Sequence, residues 1–145
     1  MADLTLSEFA DKVGELMPVM IREFARHQVA GFYKLRITMP QFYVLDILNH
    51  NGESKMSDLA KVLGVTTANM TGIVDRLVRE SFVLRASDPH DRRITKVKLT
   101  SRGARVVRDM IRKRRDIIVR MFGVISPAER EQYLNILGHI HEHFR

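Results

Sequence analysis

The sequence predicts a mainly α (α+β) fold in which a single β-hairpin interrupts a succession of helices. Apolar residues recur at i, i+3 and i+4 over most of the 145 residues. The period switches to alternation only over Phe82–Arg85 and Thr95–Leu99. Helix punctuation falls at the edges of the periodic stretches, as in Thr38-Met39-Pro40-Gln41, Gly64 and Ser126-Pro127-Ala128-Glu129. At 45% hydrophobic and 28% charged residues, the composition is that of an ordinary globular chain about one domain long. No apolar run approaches the ~18–20 residues of a membrane span. The start, Met1-Ala2-Asp3-Leu4, lacks the basic-then-apolar order of a secretory signal. Zero cysteines exclude a disulfide framework, a Cys-ligated zinc site and thiol chemistry. A cytoplasmic protein is expected.

The elements follow in order. Leu4, Phe9, Val13, Leu16, Met17, Met20, Ile21 and Phe24 form one helical stripe, with Pro18 inside it as a kink or a lost hydrogen bond. Gly31 and the basic stretch around Lys34 and Arg36 end this helix. Thr38 caps the second, Gln41 completes a capping box, and Asn49-His50-Asn51-Gly52 closes it. Its apolar positions are Phe42, Val44, Leu45, Ile47 and Leu48. Ser57 is the expected cap of a short helix, Asp58–Leu63, ended by Gly64 in the position where only glycine is unstrained. A longer helix then runs from about Thr67 to Ser81, with Met70, Ile73, Val74, Leu77 and Val78 facing in. Two strands joined by Ser87-Asp88-Pro89-His90-Asp91-Arg92-Arg93 make the hairpin. Thr100 or Ser101 caps a helix of about 22 residues and about 33 Å. Its stripe is Val106, Val107, Met110, Ile111, Ile117, Ile118, Met121 and Phe122. The last helix opens on Ser126 and presents Tyr133, Leu134, Leu137, Ile140 and Phe144.

Charge is concentrated rather than spread. Residues 85–115 carry a net +9, and the remainder of the chain a net −2. Such a basic segment is the footprint of a polyanion-binding surface. Its competing explanation is a solvated helix paired with acids such as Glu8, Asp11 or Glu15.

Helix, tight turn, helix, hairpin is the order of a winged helix-turn-helix. Ser57, Ala60 and Lys61 belong to the first helix of the pair, where Ala60 is small enough for a close crossing. Burial of the apolar face of the second helix leaves Thr66, Thr67, Ala68, Asn69, Thr71, Gly72 and Arg76 outward. Short polar side chains at a helix N-terminus suit entry into the ~12 Å major groove. Asn69 can pair bidentately with adenine, the threonines can reach a thymine methyl or a phosphate, and Arg76 suits a phosphate. Gly72 costs about 1 kcal/mol relative to alanine in mid-helix. Close approach of DNA explains that cost, as would packing against a neighbouring helix. At the hairpin, His90, Asp91, Arg92, Arg93 and Lys96 are the expected wing contacts. Arg92 and Arg93 suit an A·T-rich minor groove, and Asp91 is placed to hold the guanidinium of Arg93.

These residues resemble the MarR family of bacterial transcriptional regulators. The resemblance lies in Leu59-Ala60-Lys61-Val62-Leu63-Gly64-Val65-Thr66 through Val74-Asp75-Arg76-Leu77. It continues through Val83-Leu84-Arg85, Asp88-Pro89-His90-Asp91-Arg92-Arg93, Val97-Lys98-Leu99-Thr100 and Gly103. Phe82 departs from it, because members usually carry glycine there. The resemblance implies three parts of one compact unit: a dimerisation helix over 1–36, a winged DNA-binding domain over 37–100 and dimerisation helices over 101–145. It also implies a homodimer on a palindromic operator, and a repressor released by a small aromatic or anionic effector. Phe42 and Tyr43 are candidates to line the effector pocket. The long apolar stripes of the terminal helices point independently to an interface.

Other classes find less support. No Gly-rich phosphate loop, no paired carboxylates and no His-Glu-x-x-His helix suggest an enzyme, and no cofactor is expected. His139 and His143, four apart on one helix face, are the candidate ligands of a metal-responsive regulator, for which zinc would need a third group. A winged module for RNA or protein is the other alternative, but the stacking aromatics of single-strand readers are missing.

Overall fold

The computed structural model describes residues 4–32 and 35–144. It contains helices α1 (Leu6–Phe32), α2 (Met39–Asn51), α3 (Met56–Leu63), α4 (Thr67–Arg79), α5 (Ser101–Phe122) and α6 (Pro127–His143), and strands β1 (Glu53–Lys55), β2 (Val83–Ser87) and β3 (Thr95–Leu99). The sheet is antiparallel in the order β1-β3-β2, with Ser54 opposite Val97 on one side of β3 and Arg85 opposite it on the other.

Local chemistry accounts for most boundaries. Thr38 accepts the N–H of Gln41, whose side chain accepts the N–H of Thr38 at 2.9 Å. Ser126 and Glu129 repeat this arrangement at α6, and the same hydrogen bonds hold the Glu129 carboxyl below its ordinary pKa. A third such box, Thr5 with Glu8, starts α1, although the sequence reading placed no cap there. Helix α1 continues through Pro18, whose missing N–H leaves one turn a hydrogen bond short without ending the helix. Lys34, expected to help end it, lies outside the described residues.

Several expectations are corrected. Ser57 does not cap α3; Lys55 holds the N-cap position without a side-chain bond, because β1 runs straight into the helix. That third strand was not anticipated. Helix α4 stops at Arg79 rather than Ser81. The N–H groups of Glu80, Ser81 and Phe82 close it onto Arg76, Val78 and Leu77. Val78 is 36% exposed and not part of the buried face. The first hairpin strand starts at Val83 and extends to Ser87. Phe82 instead enters the core, and the left-handed backbone falls one residue earlier, at Ser81 (φ 59°). The turn therefore needs no glycine at 82.

One cluster forms the core: Ile37, Phe42, Val44, Leu45 and Leu48 against Leu59, Ala60, Met70, Val74, Leu77, Phe82, Val83, Val97, Val107 and Met110. All lie between residues 37 and 110. Thr100, not Ser101, caps α5, accepting the Gly103 N–H and donating to the Ser81 carbonyl at 2.7 Å. Among the described side chains, α1 and α6 contribute none to the core.

Candidate nucleic-acid interface

Helices α3 and α4 meet across a turn set by Gly64, at φ 64°. The N–H of Val65 reaches the carbonyl of Ala60, which is buried, so the small side chain sits where the two helices cross. Thr66 caps α4 through the N–H of Asn69 at 3.2 Å. Thr67, Ala68, Asn69, Thr71, Gly72 and Arg76 are all exposed, as is Lys61 on α3. The hydroxyl of Thr71 donates back to Thr67, which leaves its methyl group and lone pairs outward. A Cβ built on Gly72 meets nothing within 4 Å. The glycine is therefore not explained by a neighbouring helix, and the surface in front of it is open.

The hairpin beside α4 is fastened at its base. Asp88 accepts the N–H of His90 at 2.8 Å and that of Asp91 at 3.2 Å. Its other oxygen pairs with Lys96 at 2.8 Å, and Lys96 also holds Glu53 at 3.1 Å. The ammonium thus joins β1, β3 and the start of the wing. Lys96, expected among the wing contacts, pairs with carboxylates of its own chain because β3 lies between β1, which carries Glu53, and β2, which leads into Asp88. Arg92 and Arg93 extend from the tip. Arg93 is 92% exposed, and Asp91 steadies it by accepting its N–H at 3.0 Å and its Nε at 3.3 Å.

Hydrogen bonding to Lys96, and then to the His90 N–H, holds the Asp88 carboxyl below its ordinary value. Asp88 and Glu53 push Lys96 up. The aspartate's share of the tie is therefore in full force above the ordinary aspartate pKa and is lost as pH falls through the lowered one. The lysine's share holds below the ordinary lysine pKa and goes as pH climbs through the raised one. Carboxyl NMR titration is expected to place the Asp88 midpoint below that of an unperturbed aspartate, and Lys96→Met to return it toward normal. A midpoint indifferent to Lys96 removes the tie.

Sequence reasoning missed Arg85. Its guanidinium pairs with Asp75 and donates to the Thr71 carbonyl at 3.3 Å, fixing the first wing strand to the exposed flank of α4. The partners are ten residues apart on different elements, so neither the helical nor the strand period reveals them.

The basic stretch of residues 85–115 also divides. Arg85 and Lys96 are internally paired, Arg112 and Lys113 bind Asp109, and Arg114 pairs with Asp46 at 3.3 Å. Most of its cations lie on α5 rather than at the hairpin tip. Phe42, a pocket candidate, is fully buried in the core beneath the Arg114 guanidinium, 5.3 Å from the ring centre. Tyr43 is 47% exposed. His139 and His143 are exposed on α6. Among the described residues, no three or more His, Cys, Asp or Glu side chains are grouped to hold a metal ion, and no helix is long and apolar enough to cross a membrane.

The model of the MarR family matches residues 37–95, the segment that forms α2 through the start of β3. The chain is 35% identical over 138 residues to the HTH-type transcriptional repressor NicR of Pseudomonas putida, covering 93% of this chain and 85% of that protein. It is 36% identical over 103 residues to YfiV of Bacillus subtilis, described as an uncharacterized HTH-type transcriptional regulator. That match covers 71% of this chain but only 64% of the relative. Among solved structures, a mutant MarR from Escherichia coli complexed with operator DNA superposes with a TM-score of 0.74 at 26% identity. The match covers 94% of this chain and 98% of that one.

Proposed function

This chain belongs to the MarR family of DNA-binding transcriptional regulators, and we propose that within it the chain is a homodimeric repressor of a palindromic operator. In this reading α4 enters the major groove by its N-terminal end, and Arg92 and Arg93 of the wing enter the adjacent minor groove. The observation that carries it is the outward strip of α4. It is small-sided at Ala68, open at Gly72 and polar at Thr67, Asn69 and Thr71, and it lies beside a hairpin whose tip cations face solvent. Asn69 is the base reader, Arg76 a phosphate contact, and His90 and Asp91 shape the wing. Residues 37–100 are the reading head, and residues 1–36 and 101–145 the dimerisation elements.

The homodimer is supported by the terminal helices. In α6, Leu134 is 67% exposed and Ile140 50%, and Phe144, which caps its C-terminus, is 82% exposed; in α1, Leu16 is 63% and Ile21 59%. A capped helix with no buried residue gains little stability alone, and a second copy offers the same apolar faces for burial. The repressor role is supported by the name of NicR. Release by a small aromatic or anionic effector is carried over from the family resemblance.

The test is selection of bound duplexes from a random pool, with sedimentation of free and bound protein. Recovery of a two-fold symmetric sequence by a dimer is expected; a monomer, or a pool without sequence preference, sinks the proposal. On a selected duplex, Arg93→Ala is expected to weaken binding and to reduce the magnitude of the salt slope by about 1. Unchanged affinity and slope would remove the wing from the groove.

A further inference from the structure

Between the connection leading into α2 and the last turn of α4 lies a cleft of about 130 Å³. We infer that its three arginines, Arg36, Arg76 and Arg79, form a phosphate-binding site that grips the DNA backbone on the α2 side of α4. The inference rests on the proposed insertion of α4 into the major groove and adds a second anchor opposite the wing.

The lining is built for an anion above an apolar floor. Ile37, Leu77 and Phe82 form that floor, exposed by 6%, 1% and 2%, with the buried Gln41 beside them. The walls carry Arg36, Arg76 and Arg79 against one carboxylate, Glu80, so the cleft holds a local excess of positive charge. Among the described residues these three arginines form no ion pair. Arg85, Arg93, Arg112 and Arg114 all do. Guanidinium groups left unpaired around a recess leave their fork-shaped donors free for phosphate oxygens.

Position supplies the second argument. Gly72, Arg76 and Arg79 follow one face of α4 at helical spacing. A helix entering end-on submerges only what fits within a major groove about 8.5 Å deep. Arg76 lies nine residues beyond Thr67, about 13 Å along the axis at 1.5 Å per residue. It therefore stands about 5 Å beyond the groove rim, close enough for its long side chain to reach back to the phosphodiesters that run there. Arg36 approaches the same place from the far side of the cleft.

The experiment uses the full chain and a duplex recovered by selection, titrated at several salt concentrations. Arg36→Gln and Arg79→Gln are each expected to weaken binding about three- to tenfold, by the same factor on every duplex, and to shrink the salt slope by about 1. Arg36→Lys is expected to retain the slope. Glu80→Gln, which removes the opposing charge, is expected to tighten binding about threefold. With methylphosphonates in place of the rim phosphates, Arg36→Gln should cause no further loss. Unchanged affinity and slope in both Gln variants, a loss confined to one base sequence, or no gain from Glu80→Gln overturns the site. If those variants match the parent while Arg93→Ala still loses affinity, the cleft fails and the groove-docking reading stands. A parent protein that grips no duplex defeats that reading itself.

Discussion

Gly103→Ala is expected to destabilise the folded chain by about 3 kcal/mol, the upper end of the usual cost of overpacking. A Cβ at this position would stand 1.9 Å from the carbonyl oxygen of Phe82 and 2.8 Å from its carbonyl carbon. Both are backbone atoms, so no flexible side chain can swing aside. The carbonyl is held in place by the Thr100 N–H at 3.0 Å, and the Phe82 ring is buried with the Arg102 guanidinium 5.1 Å from its centre. Ser81, already in the left-handed region, has little freedom to release slack into the turn. Relief therefore requires α5 to move away from the α4–β2 turn, which opens the seam between Val107 and the core. Denaturant unfolding of both proteins at equal concentration measures the cost. Equal midpoints would show that helix and turn are not in the contact described.

Gly103 also shows what a sequence can and cannot reveal. Its place after Leu99-Thr100 was legible as part of a motif, but the carbonyl that forbids a side chain there sits 21 residues back, across the whole hairpin. The same division holds elsewhere. Thr38 with Gln41, Gly64, and Ser126 with Glu129 were legible because each device closes within one turn and needs only its neighbours. Strand β1 was not, since three residues are too few to show alternation and its partner is β3, more than forty residues away. Ser57 was misassigned as a cap because the ladder to β3, rather than a side chain, decides where α3 begins. At the interface, the outward set on α4 followed directly from burying Met70, Val74 and Leu77. The internal commitments of Lys96 and Arg85 did not follow, because their carboxylates arrive from other strands and helices. Charge summed along the chain therefore exaggerated the cationic surface around the hairpin. It also passed over Arg36 and Arg79, which lie outside the basic stretch.

Gly72→Ala is expected to move stability and binding in opposite directions. The glycine lies in the interior of α4, is exposed, and has nothing within 4 Å of a built Cβ. Alanine then adds helix propensity without a clash, and the fold should gain up to about 1 kcal/mol. If the same face lies against the wall of the major groove, the added methyl holds the helix away from base edges whose hydrogen bonds need close approach. Affinity for a selected duplex should fall about tenfold, the equivalent of roughly 1.4 kcal/mol, while the salt slope set by the phosphate-contacting arginines stays nearly constant. Most substitutions that weaken a binding protein by damaging its fold lower both quantities together. Loss of binding in a more stable protein assigns the effect to the contact surface. A Gly72→Ala variant that is more stable and still binds the duplex with parental affinity would show that this face of α4 does not approach DNA closely.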